Sequence, residues 1–302
     1  MAVTYDYYRI FYYVAKYKNF TQAARVLMSS QPNVTRAMNN LESELGCRLF
    51  IRSNRGITLT PEGIRLYTRV ASAHAQLQAA EEELSGDRDL HTGVVSIGAS
   101  GTALHIFLLP ILQEFHLKYP GIRIHIFNYT SNQAIPALRN AIVDFAVITT
   151  PTGAAKPLTE IPLKHFQEIL VGGPQFARLI QTPLSLSDLP DYPLVFLNRQ
   201  TKTFELYNRL FLKNGISLRP EIEAATIDQI LPMIIYDLGI GFLPEEFVQP
   251  ALDAGKVFHI PMTSEIPQRT VCLVKDVNRP ISIAAKELEK MIIAKKECLR
   301  ES

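Results

Sequence analysis

The chain has 302 residues, 47% of them hydrophobic and 20% charged, with a formal net charge of +2. That length exceeds one average domain and supplies apolar side chains for two or three cores. No basic leader precedes an apolar run, and no stretch of about 18 uncharged apolar residues occurs, so neither export nor membrane insertion is expected and a cytoplasmic protein is. Cys47, Cys272 and Cys298 lie far apart without clustered histidines, which argues against a disulfide framework, a metal site or any cofactor. The charge is unevenly placed: residues 1–60 carry eight Lys/Arg against three acids, a surplus of five that leaves −3 for the rest. A basic surplus at one end is the sign needed for contact with phosphate.

Residues 3–17 place Tyr8, Phe11, Val14 and Ala15 at helical spacing, and Phe20 plugs the junction with the next helix. A second helix is predicted from an N-cap at Thr21, with Ala24 and Leu27 on its apolar stripe, up to a break at Met28-Ser29-Ser30. Ser30 then caps a third helix with Pro32 in its first turn. This helix turns Val34, Met38, Leu41 and Leu45 inward and ends at Gly46. Two helices joined by so short a turn describe a helix-turn-helix, with Gln31, Asn33, Thr35, Arg36 and Asn39 displayed outward toward a double-stranded DNA operator. Thr21, Gln22 and Ser30 complete the polar face assigned to DNA.

The runs Arg48-Leu49-Phe50-Ile51 and Ile57-Thr58-Leu59 flank Ser53-Asn54-Arg55-Gly56 and read as a hairpin, a wing that aims Arg52 and Arg55 at phosphate or the minor groove. Thr60 caps the next helix and Pro61 opens it. With no proline to interrupt it, the helix continues to about Ser85, carrying Ile64, Tyr67, Ala71, Leu77, Ala80 and Leu84 on one face. Such a helix is about 36 Å long, too long for a sixty-residue domain to bury, so its apolar face implies a second chain.

A polar linker over residues 86–93 leads to alternating strands and helices. Val94–Gly98, Ile122–Ile126 and Phe145–Ile148 are strands, with a helix carrying Leu108, Leu112, Phe115 and Tyr119 and another around Asn132–Ile142 between them. This βαβαβ unit places ligand loops at Ser100–Thr102 and Thr149-Thr150. A second α/β set follows, with strands at Ile169–Val171, Leu194–Leu197, Ile222–Ala224 and Gly239–Pro244. Its helices are one over Phe204–Phe211 capped by Thr203 and one from near Thr226 to Asp237. The runs Val257–Ile260 and Thr270–Val274 and a helix from Ile283 to about Ala294 close the chain, giving a two-lobed clamp with a ligand between its halves.

Catalytic signatures are missing. No Gly-x-Gly-x-x-Gly or phosphate loop occurs, and Gly98-Ala99-Ser100-Gly101 lacks the spacing of a nucleophile elbow. His105 lies near Ser100, but no acid partner is legible for it, so an enzyme is not expected. Hydroxyls at helix starts, combined with free backbone N–H groups, suit a small anion instead.

Phe20-Thr21-Gln22-Ala23-Ala24, Ser30-Gln31-Pro32, Leu41-Glu42-Ser43-Glu44-Leu45-Gly46, Leu49-Phe50-Ile51-Arg52 and Leu59-Thr60-Pro61-Glu62-Gly63 together resemble the LysR-type transcriptional regulators of bacteria. The resemblance covers the whole chain. It implies an N-terminal all-α winged helix-turn-helix (1–60), a long linker and dimerisation helix with its hinge (61–90), and an effector-binding domain (91–302). The last is implied to be a C-terminal α/β two-lobed domain resembling type 2 periplasmic binding proteins, with lobe I formed by 91–163 and 267–302 and lobe II by 164–266. A homodimer or homotetramer, a small-molecule effector and RNA polymerase are the implied partners. Carried over by position, Ser100, Gly101, Thr102, Thr149, Thr150, Asn198, Arg199 and Thr226 are the implied effector residues, while Gln31 and Arg36 face base edges and Thr35 a phosphate or base methyl. Asn33 stands where the family commonly has a small residue and Asn39-Asn40 where many members carry a basic or mixed pair, departures that bear on operator preference.

Overall fold

The computed structural model describes residues 3–53, 56–84 and 92–298, which fall into two compact units, one of residues 1–86 with 140–142 and one of residues 87–139 and 143–302. In the first unit, helix α1 (Tyr5–Tyr17) buries Phe11, Val14 and Ala15, as its spacing predicts. Helix α2 (Phe20–Val26) starts two residues earlier than expected, because the Asn19 side chain, not Thr21, caps it by accepting the Gln22 N–H at 3.0 Å. Met28 reverses the chain in the left-handed region, with φ 50° and its side chain 97% exposed. Ser30 caps α3 (Gln31–Leu45), which buries Val34, Met38 and Leu41 and ends at Gly46 in the left-handed conformation. Leu45, expected inward, is exposed.

Strands β1 (Phe50–Ser53) and β2 (Gly56–Leu59) pair antiparallel, Phe50 opposite Leu59 and Ser53 opposite Gly56. Thr60 accepts the Gly63 N–H at 3.0 Å and so caps α4 (Pro61–Leu84). Gly63 is needed there: a Cβ would lie 2.2 Å from the Leu49 carbonyl oxygen. The face of α4 that meets this unit's core carries Leu66, Tyr67 and Val70, whereas Ile64 and Leu77 are exposed. No described helix is long and apolar enough to cross a membrane.

The second unit begins with β3 (Gly93–Ala99), the one-turn helix α5 (Gly101–Ala103) and a π-helical turn over Leu104–Leu108 that the helical spacing did not foretell. Helix α6 (Leu109–Lys118), strand β4 (Ile122–Asn128), helix α7 (Ser131–Arg139) and strand β5 (Phe145–Thr149) follow. Strand β6 (Leu158–Phe166) escaped the sequence reading. Its burial is interrupted and Pro162 sits beside an irregularity in the register, as suits an edge strand.

The chain then crosses to a second sheet at β7 (Glu168–Gly172). Two 3₁₀ segments, Pro174–Gln181 and Leu186–Asp191, precede β8 (Val195–Leu197), α8 (Lys202–Lys213), β9 (Ile222–Ala224), α9 (Ile227–Ile235) and β10 (Ile240–Pro244). Helix α10 (Glu245–Asp253), also unforeseen, leads to β11 (Phe258–Ile260). The chain returns to the first sheet through β12 (Arg269–Asp276) and ends in α11 (Ile283–Cys298).

The first sheet has the order β4-β3-β5-β12-β6, with β3 parallel to both neighbours and β12 antiparallel to both of its own. Val95, Ile97, Phe115, Phe145, Leu273 and Leu288 fill its core. In the second lobe β10-β7-β11 and the parallel pair β8-β9 are linked through a bridge between Leu194 and Ile240. Phe196, Tyr207, Phe211 and Phe242 pack one side of this sheet and Ile230, Ile234 and Val248 the other.

Candidate functional site

The DNA-facing candidates lie on the first unit. Gln31, Asn33, Arg36 and Asn39 are exposed along α3, opposite the buried Val34, Met38 and Leu41, because 3.6-residue periodicity separates the two sets. Thr35 is half-buried, and its Oγ1 accepts from Gln31 Nε2 at 3.3 Å. Ser30 Oγ accepts the Asn33 N–H at 3.4 Å, so its local duty is capping. Thr21 and Gln22 are exposed in the first turn of α2. Arg55 and the side chain of Arg52 lie outside the described residues. The base of the hairpin is held by a carboxylate: Glu42 Oε1 accepts from the backbone N–H of Leu49 at 2.6 Å and of Phe50 at 3.1 Å. A depression of about 750 Å³ lined by Asn39, Glu42, Ser43 and Arg48 lies along this face, a surface groove of the DNA-reading unit and not a ligand chamber.

The effector candidates lie on the second unit, where the two lobes enclose a cavity of about 50 Å³. Ser100, Gly101, Thr102, Thr149 and Thr226 line it, as do Tyr129, Lys202 and Thr203, which sequence reasoning did not assign to the cleft. Ser100 Oγ accepts the Ala103 N–H at 3.2 Å. Thr149 ends β5, and Thr226 holds the N-cap position of α9 without a side-chain cap bond. Three expected residues face elsewhere. Arg199 pairs with Glu223 at 3.0 Å and is 69% exposed, Asn198 Oδ1 accepts the Gln200 N–H, and Thr150 Oγ1 accepts the Thr270 N–H.

Thr203 is not the cap of α8. Thr201 is, accepting the Phe204 N–H at 3.1 Å, and this frees the Thr203 hydroxyl for Arg269. Lys202 therefore sits at the first helical position, where a cation opposes the helix dipole. That placement was the signal in the sequence that could have drawn Lys202 to notice. Its ammonium bonds both carboxylate oxygens of Glu205, at 3.0 and 2.7 Å, and holds that carboxyl below the usual range. Burial raises the Tyr129 phenol, so it stays protonated at neutral pH.

Behind the cavity, Arg269 is bonded to Glu168, Thr149, Thr203 and the Thr150 carbonyl. Tyr207 donates to Glu168 Oε2 at 2.8 Å, and burial keeps its phenol well above the ordinary range. At the edge of the cleft the lobes are clasped by His105 with Asp228, by Lys164 with Glu246, and by Asn132 Nδ2 donating to the Gln200 carbonyl at 2.8 Å. The histidine thus has an acid partner that sequence alone did not reveal. Ser100 is not hydrogen-bonded to it among the described residues, so no Ser–His relay is assembled.

A helix-turn-helix followed by a linker helix and a two-lobed α/β domain defines a DNA-binding transcriptional regulator. Residues 5–64 match the bacterial regulatory helix-turn-helix protein, lysR family, and residues 88–296 match the LysR substrate binding domain. The chain belongs to the LysR family. It is similar to the HTH-type transcriptional regulator BbuR of Bordetella bronchiseptica, 29% identical over 255 residues that cover 83% of this chain and 77% of that one. CysB of Haemophilus influenzae is 25% identical over 296 residues, covering 94% and 90%. Among solved structures, full-length OxyR from Pseudomonas aeruginosa superposes with a TM-score of 0.71 at 19% identity, covering 98% and 95%. CbnR superposes at 0.68 with 16% identity, covering 97% and 99%, and has also been solved complexed with its target DNA. These structural likenesses speak to fold alone.

Proposed function

We propose that this regulator reads a double-stranded operator with α3 and is controlled by a small anion held between the lobes of its second unit. The observation that carries the reading is the cavity lined by Ser100, Thr149, Lys202 and Thr203, with no carboxylate among its lining residues. On this reading residues 1–60 contact DNA and 61–90 join two chains, and the effector domain divides into 91–166 with 267–302 and 167–266, a boundary three residues later than the sequence suggests because β6 stays in the first sheet to Phe166. The exposed Ile64 and Leu77 on α4 support pairing with a second copy, as a dimer or within a tetramer. An anion that favours one arrangement of the lobes shifts the paired reading heads by linkage, and RNA polymerase is the downstream partner.

Within the reading helix, Arg36 and Gln31 meet base edges, while Arg52 and Arg55 supply phosphate contacts from the hairpin. Operator selection from random duplexes, followed by anisotropy titrations of the full chain, tests this division. Arg36→Ala should lose about 1–3 kcal/mol of preference for the selected duplex over random sequence. An unchanged preference would remove α3 from the role of reader.

A further inference from the structure

In the sequence of α4, Leu66, Val70, Ala73, Leu77, Ala80 and Leu84 follow one another at alternating spacings of four and three, the a/d repeat of a helix that packs on another helix. The first unit half-buries Leu66 and Val70 but leaves Ala73 and Leu77 exposed, so its own core covers only part of the row. Between this row and α1 runs a groove of about 300 Å³, lined by Tyr5, Tyr8, Leu66, Val70 and Ala73. His74 lines the same groove, one position beyond Ala73 and so beside the seam. Its ring stacks on Tyr12 with centroids 4.2 Å apart and meets the edge of Tyr13 at 5.6 Å, and its Nδ1 is buried with no hydrogen-bond partner among the described residues. The charges around it are mostly positive: Arg9 and Lys16 from α1 and Arg69 from α4, opposed by Glu81. Asp6 is engaged by Arg9 at 3.4 Å. Burial and the neighbouring Tyr12 push the Tyr67 phenol up to about 12, so that group brings no negative charge.

We infer that His74 is a proton gate on the pairing of two chains: its neutral imidazole lets a second copy cover the groove, and its protonated form opposes that cover. The inference rests on the reading that α4 joins two chains and adds the regulation of that contact. A second copy is the occupant the row specifies, because an a/d seam left partly exposed needs another helix and an isologous contact offers the same seam in return. Covering the groove takes water away from a ring whose Nδ1 already lacks a partner, so a proton there buries an N–H without an acceptor. The same contact brings the cations of the second copy toward those of the first. Burial, then Lys16, already hold the imidazole below its ordinary pKa in the single chain, and pairing adds to both effects. The unpaired chain therefore takes the proton more readily. By linkage, pairing is full while His74 is neutral and weakens as the pH falls.

Sedimentation equilibrium of the full chain at micromolar concentration tests the gate. The wild type should be paired at pH 7.5 and show a dissociation constant at least about tenfold larger at pH 5.5. His74→Gln, which takes no proton, should keep its dissociation constant within about twofold across the same interval. His74→Lys carries a fixed charge and should dissociate at pH 7.5 as the wild type does at pH 5.5, which reads the charge without acidifying the rest of the chain. The glutamine comparison stands even if the lysine variant fails to fold. A wild type paired equally at both pH values, a glutamine variant that loses pairing on acidification as the wild type does, or a folded lysine variant paired as tightly as the wild type at pH 7.5 would each overturn the gate and leave the pairing standing. A wild type that is monomeric at pH 7.5 would overturn the pairing through α4 as well.

Discussion

Arg269 and Glu168 form an ion pair of 2.8 Å although their side chains are only 2% and 3% exposed. Glu168 opens β7, where the chain enters the second lobe, and Arg269 opens β12, where it returns, so the pair ties both crossings together. Removing one partner strands a buried charge, which costs about 3–5 kcal/mol, whereas replacing both by apolar side chains is often close to neutral. Glu168→Gln and Arg269→Met should therefore each lower the urea-unfolding free energy of the second unit by about that amount, with the double variant well above either. Singles that lose less than about 1 kcal/mol would show the crossings to be held by other contacts.

Glu42 does comparable work in the first unit, where one carboxylate oxygen takes two backbone N–H groups at the base of the hairpin. Hydrogen bonds to a charged group contribute about 1.5–3 kcal/mol, so Glu42→Ala should destabilise the unit by roughly that range. The hairpin would also lose its attachment to α3. Anisotropy titrations should then show weaker binding to selected and random duplexes alike, since phosphate contacts position the protein without reading bases. A loss confined to the selected duplex would contradict the assignment.

The His105–Asp228 clasp joins the π-helical turn of the first lobe to the first turn of α9 in the second, with side chains 32% and 43% exposed. Its other neighbours are the Phe247 ring, 4.9 Å away, and the Gly101 backbone. Exposed pairs contribute about 0.2–1 kcal/mol, so Asp228→Asn should weaken sulfate binding by no more than about fivefold, with little change in thermal midpoint. A loss of a hundredfold would place Asp228 in the ligand site itself, and titration calorimetry separates the outcomes.

His74 gives the first unit a pH dependence of calculable sign. Its ring stacks on Tyr12 at 4.2 Å and meets the edge of Tyr13, and its Nδ1 is buried without a partner. Burial, then Lys16 and more weakly Arg9, push its pKa below the ordinary imidazole value, against smaller opposing effects of Glu81 and Gln78. The unfolded chain therefore takes up a proton that the folded chain resists. Stability is full above about pH 6.5 and declines as pH falls through and below it. Thermal unfolding should show a lower midpoint at pH 5.5 than at pH 7.5, and His74→Phe should remove part of that difference. An identical pH slope in the variant would assign the dependence elsewhere.

Local patterns made most of the architecture legible. Phe11, Val14, Val34, Met38 and Leu41 follow helical periodicity, and the structure buries all five. The elements that escaped are those whose existence depends on distant partners. Strand β6 carries charges and a proline because it is an edge, and only its pairing with β12 makes it a strand. Thr203 reads as a cap as readily as Thr201 does, and what separates them is Arg269, 66 residues away. Arg269 itself occupies the start of an ordinary strand, and its role depends on Thr149 and Glu168 arriving beside it from elsewhere in the chain.

The central claim is that an anion in the second unit alters how the first unit engages DNA. Nuclease footprinting of the full chain on its selected operator, with and without saturating sulfate, tests that coupling most directly. The account predicts a changed footprint or cleavage pattern in the wild type and none in Thr203→Val at the same sulfate concentration. A wild-type footprint unaffected by sulfate, despite calorimetric evidence that sulfate is bound, would contradict it.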